Sequence, residues 1–342
     1  MKRLIVAMVV LCLLLSGCGQ PAPEESKQYT ATYLTLFDTV TTMVGRAESQ
    51  EAFQETAQAV HDALLEYHQL FDIYNDYPGI ANLKTINDNA GIAPVKVDSR
   101  ILALLKDCKS YYADTMGRVD VAMGSVLQLW HQARTDSLDD PSSAYLPEEE
   151  ALKEAAKHMD LSAVVLDEEA STVFITDPMV RLDVGAVAKG WSLQRVCDNA
   201  PGNLLISVGG NVCAAGPKDD KGTPWVVGVQ NPDQTQNYLH TLYIESGYSV
   251  VTSGDYQRNF QVDSKLYHHI IDPDTLYPSQ YWRSVTIVCQ DSGLADALST
   301  ALFLLPQQEG QQLLDAMGAE AMWVNAQGEM FYSPGFQQLI RT

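Results

Sequence analysis

Apolar residues at Phe53, Ala57, Val60, Leu64, Tyr67 and Phe71 recur at alternating gaps of four and three, the period of one face of an amphipathic helix. Ahead of that helix, Tyr33 to Val44 alternates polar and apolar positions and is rich in threonine, which predicts a strand. Tyr74 to Gly79 reads as a loop. A second helix is predicted from a cap at Asp98 or Ser99, with Ile101, Leu105, Cys108 and Tyr112 on one stripe and Gly117 as its stop. Leu129 and Trp130 close another apolar segment, and Asp136 to Ser143 reads as a loop. Pro147 with three glutamates after it starts a further helix.

From Val164 onward the pattern shifts to short apolar runs. Val164–Leu166 and Val173–Thr176 predict a hairpin, and strand-like runs continue at Val180–Val184, Leu204–Val208, Trp225–Val229, Leu239–Ile244, Phe260–Val262, Leu266–Ile271 and Val285–Cys289. Ser292 is placed to cap a helix running to Leu305, and Met322–Val324 with Met330–Tyr332 predicts a final hairpin. Strands and helices gather in clusters instead of alternating, so the predicted class is α+β and not a doubly wound sheet.

The N-terminus reads as an address. Lys2 and Arg3 precede an apolar run from Leu4 to Leu15, the length of a signal-peptide core and too short to span a bilayer as a helix. It ends in Leu15-Ser16-Gly17-Cys18, which resembles a bacterial lipobox, whose cysteine carries lipid and becomes the mature N-terminus. The expected organisation is a lipoprotein signal over 1–18, a flexible tether over 19–30 and one folded domain over 31–342. Cys18 is the expected lipidation site, and the expected location is the extracytoplasmic face of the cell membrane, held by acyl chains.

Charge narrows the partners. With 22 basic and 43 acidic residues the net charge is -21, which repels a polyanion and argues against nucleic acid as a partner; a local basic groove is the alternative, and no Lys/Arg cluster supports one. Beyond Cys12 and Cys18 the cysteines are Cys108, Cys197, Cys213 and Cys289. They form no CxxC pair and have no zinc spacing. Cys108 and Cys289 sit in apolar patterns and read as core residues.

Three constellations carry chemistry. Leu182-Asp183-Val184-Gly185-Ala186-Val187-Ala188-Lys189-Gly190 runs from an apolar strand through glycine into a helix start, where unpaired N–H groups suit a phosphate and Lys189 adds charge. Asp296 and Thr300 stand four apart on one helical face, an oxygen pair suited to Mg²⁺. Thr252-Ser253-Gly254-Asp255-Tyr256, with His268-His269-Ile270-Ile271-Asp272-Pro273 after it, joins a close-approach turn to a candidate general base. Each has a plain alternative: a solvated lysine beside a turn, a buried Asp–Thr hydrogen bond, a structurally paired imidazole.

Taken together and in order, these stretches resemble the ApbE family of FAD:protein FMN transferases. The resemblance rests on Val119-Asp120-Val121-Ala122-Met123-Gly124 with Leu129-Trp130, then Leu182 to Gly190, Val208-Gly209-Gly210-Asn211, Thr252 to Tyr256, His269 to Pro273 with Thr275, and Ala295 to Leu302. It covers nearly all of the chain after the tether. It implies an α+β domain similar to the tunnelling fold, with flavin held between two subregions. It also implies that the FMN half of FAD moves onto a threonine hydroxyl of a target protein with release of AMP. The family's targets are subunits of the sodium-pumping NADH:quinone reductase and of Rnf complexes. By position, Met43, Tyr74, Val119, Asp120, Val121, Asp183, Lys189 and Ile270 fall where the family contacts FAD. Ala186 through its carbonyl, Asp296 and Thr300 fall where it holds magnesium, and His269 matches a catalytic histidine. Removing Asp296 is accordingly expected to abolish transfer and leave the fold intact. Departures are Phe37-Asp38-Thr39-Val40-Thr41-Thr42-Met43 for the usual Met-Gly-Thr, Ser299 where some relatives offer another metal ligand, and Asn211 for the frequent Asp. An FAD pyrophosphatase and a noncatalytic flavin-binding lipoprotein stay open as alternatives.

Overall fold

The computed structural model describes residues 26–233 and 238–341. The signal segment, Cys18 and residues 19–25 therefore lie outside the described residues. Among those described, no helix is long and apolar enough to cross a membrane.

An eight-stranded antiparallel sheet forms the frame. Its strands, Lys27–Tyr33, Thr41–Ala47, Leu204–Val208, Asn211–Ala214, Ser249–Gly254, Ser284–Cys289, Glu320–Val324 and Met330–Tyr332, are adjacent in chain order. The chain between the second and third strands returns to the sheet only after most of the helices and a three-stranded sheet, Val95–Lys96, Val164–Asp167 and Thr172–Ile175. All six residues of Ser284–Cys289 are buried, because both faces of the sheet are covered. Val285, Ile287 and Cys289 face the core that holds the Ser292–Phe303 helix, while Val288 faces the hairpin Trp225–Gln230 with Tyr238–Ile244. Pleating sends successive side chains to opposite faces, so this one strand serves two cores.

The strongest periodicities hold. Gln50–Phe71 is one helix, capped by Ser49, and it buries Phe53, Ala57, Val60, Leu64 and Phe71. Asp98 caps Ser99–Asp114, and Gly117 ends the turn at φ 78°. Cys108, Cys197, Cys213 and Cys289 are all buried free thiols.

Several expectations fail for identifiable reasons. Tyr33 to Val44 is not one strand: a one-turn helix at Leu36–Asp38 separates two paired strands, with Phe37 and Asp38 at φ 52° and 53°. No glycine, proline or asparagine marks that turn, so the alternation runs straight through it. The first strand also starts at Lys27, inside the stretch 19–30 read as a tether. Asp136 to Ser143 is not a loop, since the helix Gly124–Asp139 continues into it, burying Ser137, and a one-turn helix follows at Pro141–Ser143. Asp291, not Ser292, caps the following helix, which ends at Phe303. The strand expected over Leu266–Ile271 stops at His268.

Val180–Val184 is extended but belongs to no named strand, having only a parallel bridge between Met123 and Arg181. The Asn87 side chain supplies the missing partner: its Nδ2 donates to the Leu182 carbonyl at 3.0 Å and its Oδ1 accepts the Leu182 N–H at 2.7 Å. On the other side the Asp183 N–H donates to the Val121 carbonyl at 2.9 Å. Asn87→Ala strands two buried backbone groups, each costing ~1–3 kcal/mol when unpaired. Thermal or urea unfolding should report a loss of about 2 kcal/mol or more; an unchanged midpoint would mean that Leu182 finds other partners.

Candidate functional site

A cleft of about 620 Å³ opens where the long insertion meets the sheet, within the range of small-molecule and cofactor sites. Its floor is made by two packed helices, Ala188–Cys197 and Ser292–Phe303. They approach closely because Gly190 has no side chain. A Cβ there would overlap the Ser292 carbonyl oxygen and lie 2.6 Å from Asp296 Cβ.

That approach decides how the first constellation works. The Gly190 N–H, expected to be free for a phosphate, donates instead to Asp296 Oδ2 at 2.8 Å. Asp296, 3% exposed, thus serves as the cap that the Ala188–Cys197 helix lacks in its own sequence. Its other oxygen, Oδ1, lies 3.6 Å from Lys189 Nζ, which also donates to the Gly185 carbonyl at 3.3 Å. No hydrogen bond joins Asp296 to Thr300 among the described residues, so the bland alternative for that pair is not what forms; both line the cleft. The donors fit Mg²⁺, a hard cation that takes few carboxylates and keeps water or phosphate in its shell: a buried carboxylate oxygen, a hydroxyl and the nearby Ala186 carbonyl. Among the described residues there is no group of three or more His, Cys, Asp or Glu that could hold a metal.

Of the residues singled out by sequence, Tyr74, Val119, Asp120, Val121, Asp183, Ala186, Lys189, His269, Ile270, Asp296 and Thr300 all line this cleft. Met43 does not. It is fully buried in the Thr41–Ala47 strand, packed with Leu36 and Phe53. Phe37, Asp38 and Thr39 take the place at the cleft wall, because the Leu36–Asp38 turn pushes them forward. Ser299 is also turned away. It is buried, bonded to Ser253 Oγ at 2.7 Å and to the Asp296 carbonyl at 2.8 Å, and ties the helix to the Ser249–Gly254 strand.

Two glycine-bearing motifs shape the wall. Gly209 and Gly210 turn at φ 54° and 97°, a hairpin only residues without Cβ make easily, and a Cβ on Gly209 would lie 2.6 Å from Thr39 Cγ2. Asn211 follows, 1% exposed, lining the cleft with its Nδ2 unpaired in the structure. A buried donor without a partner is costly unless a ligand accepts from it. In Val119-Asp120-Val121, Asp120 Oδ1 accepts the Ala122 N–H at 2.8 Å, and burial pushes its carboxyl above the usual range. Asp183 is likewise raised, chiefly by desolvation, although the Gly185 N–H at 2.8 Å opposes the shift.

The histidine pair splits as strand geometry demands. His268 is buried and bonded through Nε2 to the Ser279 carbonyl at 2.7 Å. His269 faces the cleft. Desolvation first, then Arg258, His268 and Lys189, push its pKa down to about 3, and the Arg258 carbonyl pulls the other way. The shift favours the neutral imidazole.

Sequence reading missed Arg118, His131, Arg134 and Arg258. Met123, Leu127, Trp130, His131 and Arg134 form one stripe of the Gly124–Asp139 helix and its cap, and that helical spacing was the available signal. Tyr74 stacks on His131, ring centroids 5.2 Å apart, and its hydroxyl is pushed up to about 12, mainly by desolvation.

Fold and cleft together define a mixed α+β protein with an aromatic-walled, oxygen-floored ligand site. A model of the ApbE family matches residues 32–323, and the chain belongs to that family. An FAD:protein FMN transferase of Vibrio cholerae serotype O1 is 28% identical over 92% of this chain and 91% of its own length. One from Treponema pallidum is 29% identical over 97% and 94%. The crystal structure of the ApbE protein from Thermotoga maritima superposes with a TM-score of 0.81 at 29% identity, covering 92% of this chain and all of its own.

Proposed function

We propose that this protein transfers the FMN half of FAD to a threonine hydroxyl of another protein, with Mg²⁺, releasing AMP. We further propose that it works from the outer face of the cell membrane, anchored through Cys18, on subunits of Rnf or sodium-pumping NADH:quinone reductase type. A tunnelling-type arrangement with flavin between two subregions is part of the same reading. The observation that carries it is the cleft floor: Asp296, with one oxygen capping Gly190 and the other turned toward Lys189, one helical turn from Thr300.

Bound Mg²⁺ would neutralise diphosphate charge, held by Asp296, Thr300 and the Ala186 carbonyl. The protein's own residues do the rest by position. Lys189 places a positive charge beside the diphosphate. Neutral His269 takes the threonine proton as the hydroxyl oxygen bonds to phosphorus on the FMN side and the bond to the AMP phosphate breaks.

The test is to incubate the protein with FAD, Mg²⁺ and a threonine-bearing acceptor domain. Flavin-labelled acceptor and stoichiometric AMP are expected; free FMN plus AMP would make it a pyrophosphatase, and intact FAD a binding protein. Because His269 is depressed, its neutral form persists as pH falls through 6.5, the ordinary imidazole value. The transfer rate should therefore show no inflection there that disappears in His269→Gln.

A further inference from the structure

The protein carries a net charge of -21, yet four of its few cations line one cleft: Arg118, Arg134, Lys189 and Arg258. Two are already matched. Arg118 pairs with Asp272 at 3.4 Å and Asp274 at 2.6 Å, and Lys189 faces Asp296. Arg134 and Arg258 are not. Among the described residues neither has a carboxylate within ion-pair distance, and the side chain of Arg258 makes only a long contact, 3.5 Å, to the Phe37 carbonyl. Arg134 is half-buried on the same helical stripe as Trp130 and His131, so its charge is drawn partly out of water, with only the longer-range pull of Asp38 and Tyr74 to offset that.

The two guanidinium groups also act on the same neighbours. Both lower the pKa of Tyr74 and of His131; Arg134 is itself lowered, first by desolvation and then by Arg258, with Tyr74 and Asp38 pulling the other way. Arg258 reaches further, to Asp183 and His269. Two like charges lining one ligand cleft repel each other, and an anion held by both would offset that cost. Guanidinium is the group best shaped for it, with a planar fork that matches phosphate oxygens two at a time.

We infer that Arg134 and Arg258 form a phosphate-binding subsite in the cleft that Lys189 also lines, holding the diphosphate of the dinucleotide. The assignment rests on the flavin-transfer reading for the identity of the dinucleotide. It replaces the helix start at Gly190 as the principal phosphate cradle, since that N–H is taken by Asp296. A carboxylate on the acceptor protein is the other anion that such a pair recognises. The diphosphate is favoured because Arg258 lies beside His269 and Asp183 at the reacting end, where phosphorus must sit.

Binding of riboflavin, FMN, FAD and inorganic pyrophosphate, measured in EDTA by flavin fluorescence and calorimetry, separates these cases. Arg134→Ala and Arg258→Ala should each weaken FAD and pyrophosphate by about tenfold or more, the loss of one hydrogen bond to a charged group, and leave riboflavin unchanged. Arg134→Lys and Arg258→Lys, which keep charge but lose the fork, should recover part of it. Equal weakening of riboflavin and FAD would make the pair structural and overturn the assignment. Unchanged FAD and pyrophosphate affinity with a raised KM for the acceptor would hand the pair to an acceptor carboxylate and overturn it as well. Pyrophosphate binding that depends on both arginines, in a protein that never labels an acceptor, would defeat the transfer reading and leave the subsite standing.

Discussion

Asp296→Asn is expected to lose transfer activity by about 100-fold or more while the protein keeps its fold. The carboxylate has two separable jobs. Oδ2 accepts the Gly190 N–H at 2.8 Å, and Oδ1 is the oxygen turned toward Lys189 and the cleft. An asparagine keeps one oxygen for Gly190 and replaces the other with a donor. That removes the negative charge needed for a hard cation and sets an N–H against the Lys189 ammonium. Losing one preorganised electrostatic group of this kind costs roughly 10²–10³ in rate. Asp296→Ala is a poorer probe than sequence alone suggests, since it also leaves the buried Gly190 N–H without an acceptor, at ~1–3 kcal/mol. Its fold is therefore not expected to be untouched. Transfer rates over a Mg²⁺ titration, with thermal melting of both variants, check this. Full activity in Asp296→Asn at ordinary Mg²⁺ would remove Asp296 from the metal site.

Gly190→Ala should be the more damaging change to structure. In an isolated helix, alanine for glycine gains about 1 kcal/mol. Here the new Cβ meets the backbone carbonyl of Ser292, which cannot rotate away, and Asp296 Cβ at 2.6 Å. The two floor helices must separate, and overpacking of this sort costs ~1–3 kcal/mol or more. The net expectation is a loss of about 2 kcal/mol and a melting midpoint lower by a few degrees. Activity should fall further than stability, because the same separation breaks the Gly190–Asp296 bond and moves Oδ1 away from Lys189. A Gly190→Ala protein with wild-type melting and wild-type transfer would mean that the helices do not pack this closely.

Much of the site was legible along the chain. The motifs at 119–124, 182–190, 209–211, 252–256, 269–273 and 295–302 each send residues to the cleft. They failed where a residue's role depends on a partner far away. Met43 sits in an alternating stretch, and alternation does not distinguish a core face from a ligand face; the turn at Leu36–Asp38 decided that Phe37 to Thr39 reach the wall. Ser299 occupies a plausible ligand position on its helix, but the neighbouring strand brought Ser253 to it first. The four missed cationic and histidine residues carry no local pattern apart from the helical stripe ending at Arg134.

By itself the sequence determined the amphipathic helices, most of the strands, their caps and stops, and the glycines that permit tight turns, because these follow from the side chains of near neighbours. It also determined the acidic charge and the oxygen donors at 296 and 300. Only the tertiary structure decided that Asp296 would cap a helix more than a hundred residues earlier, that Asn87 would stand in for a strand, and that two arginines would face one cleft unmatched. These contacts are made across the sheet and between its covering layers, where distance along the chain bears no relation to distance in space.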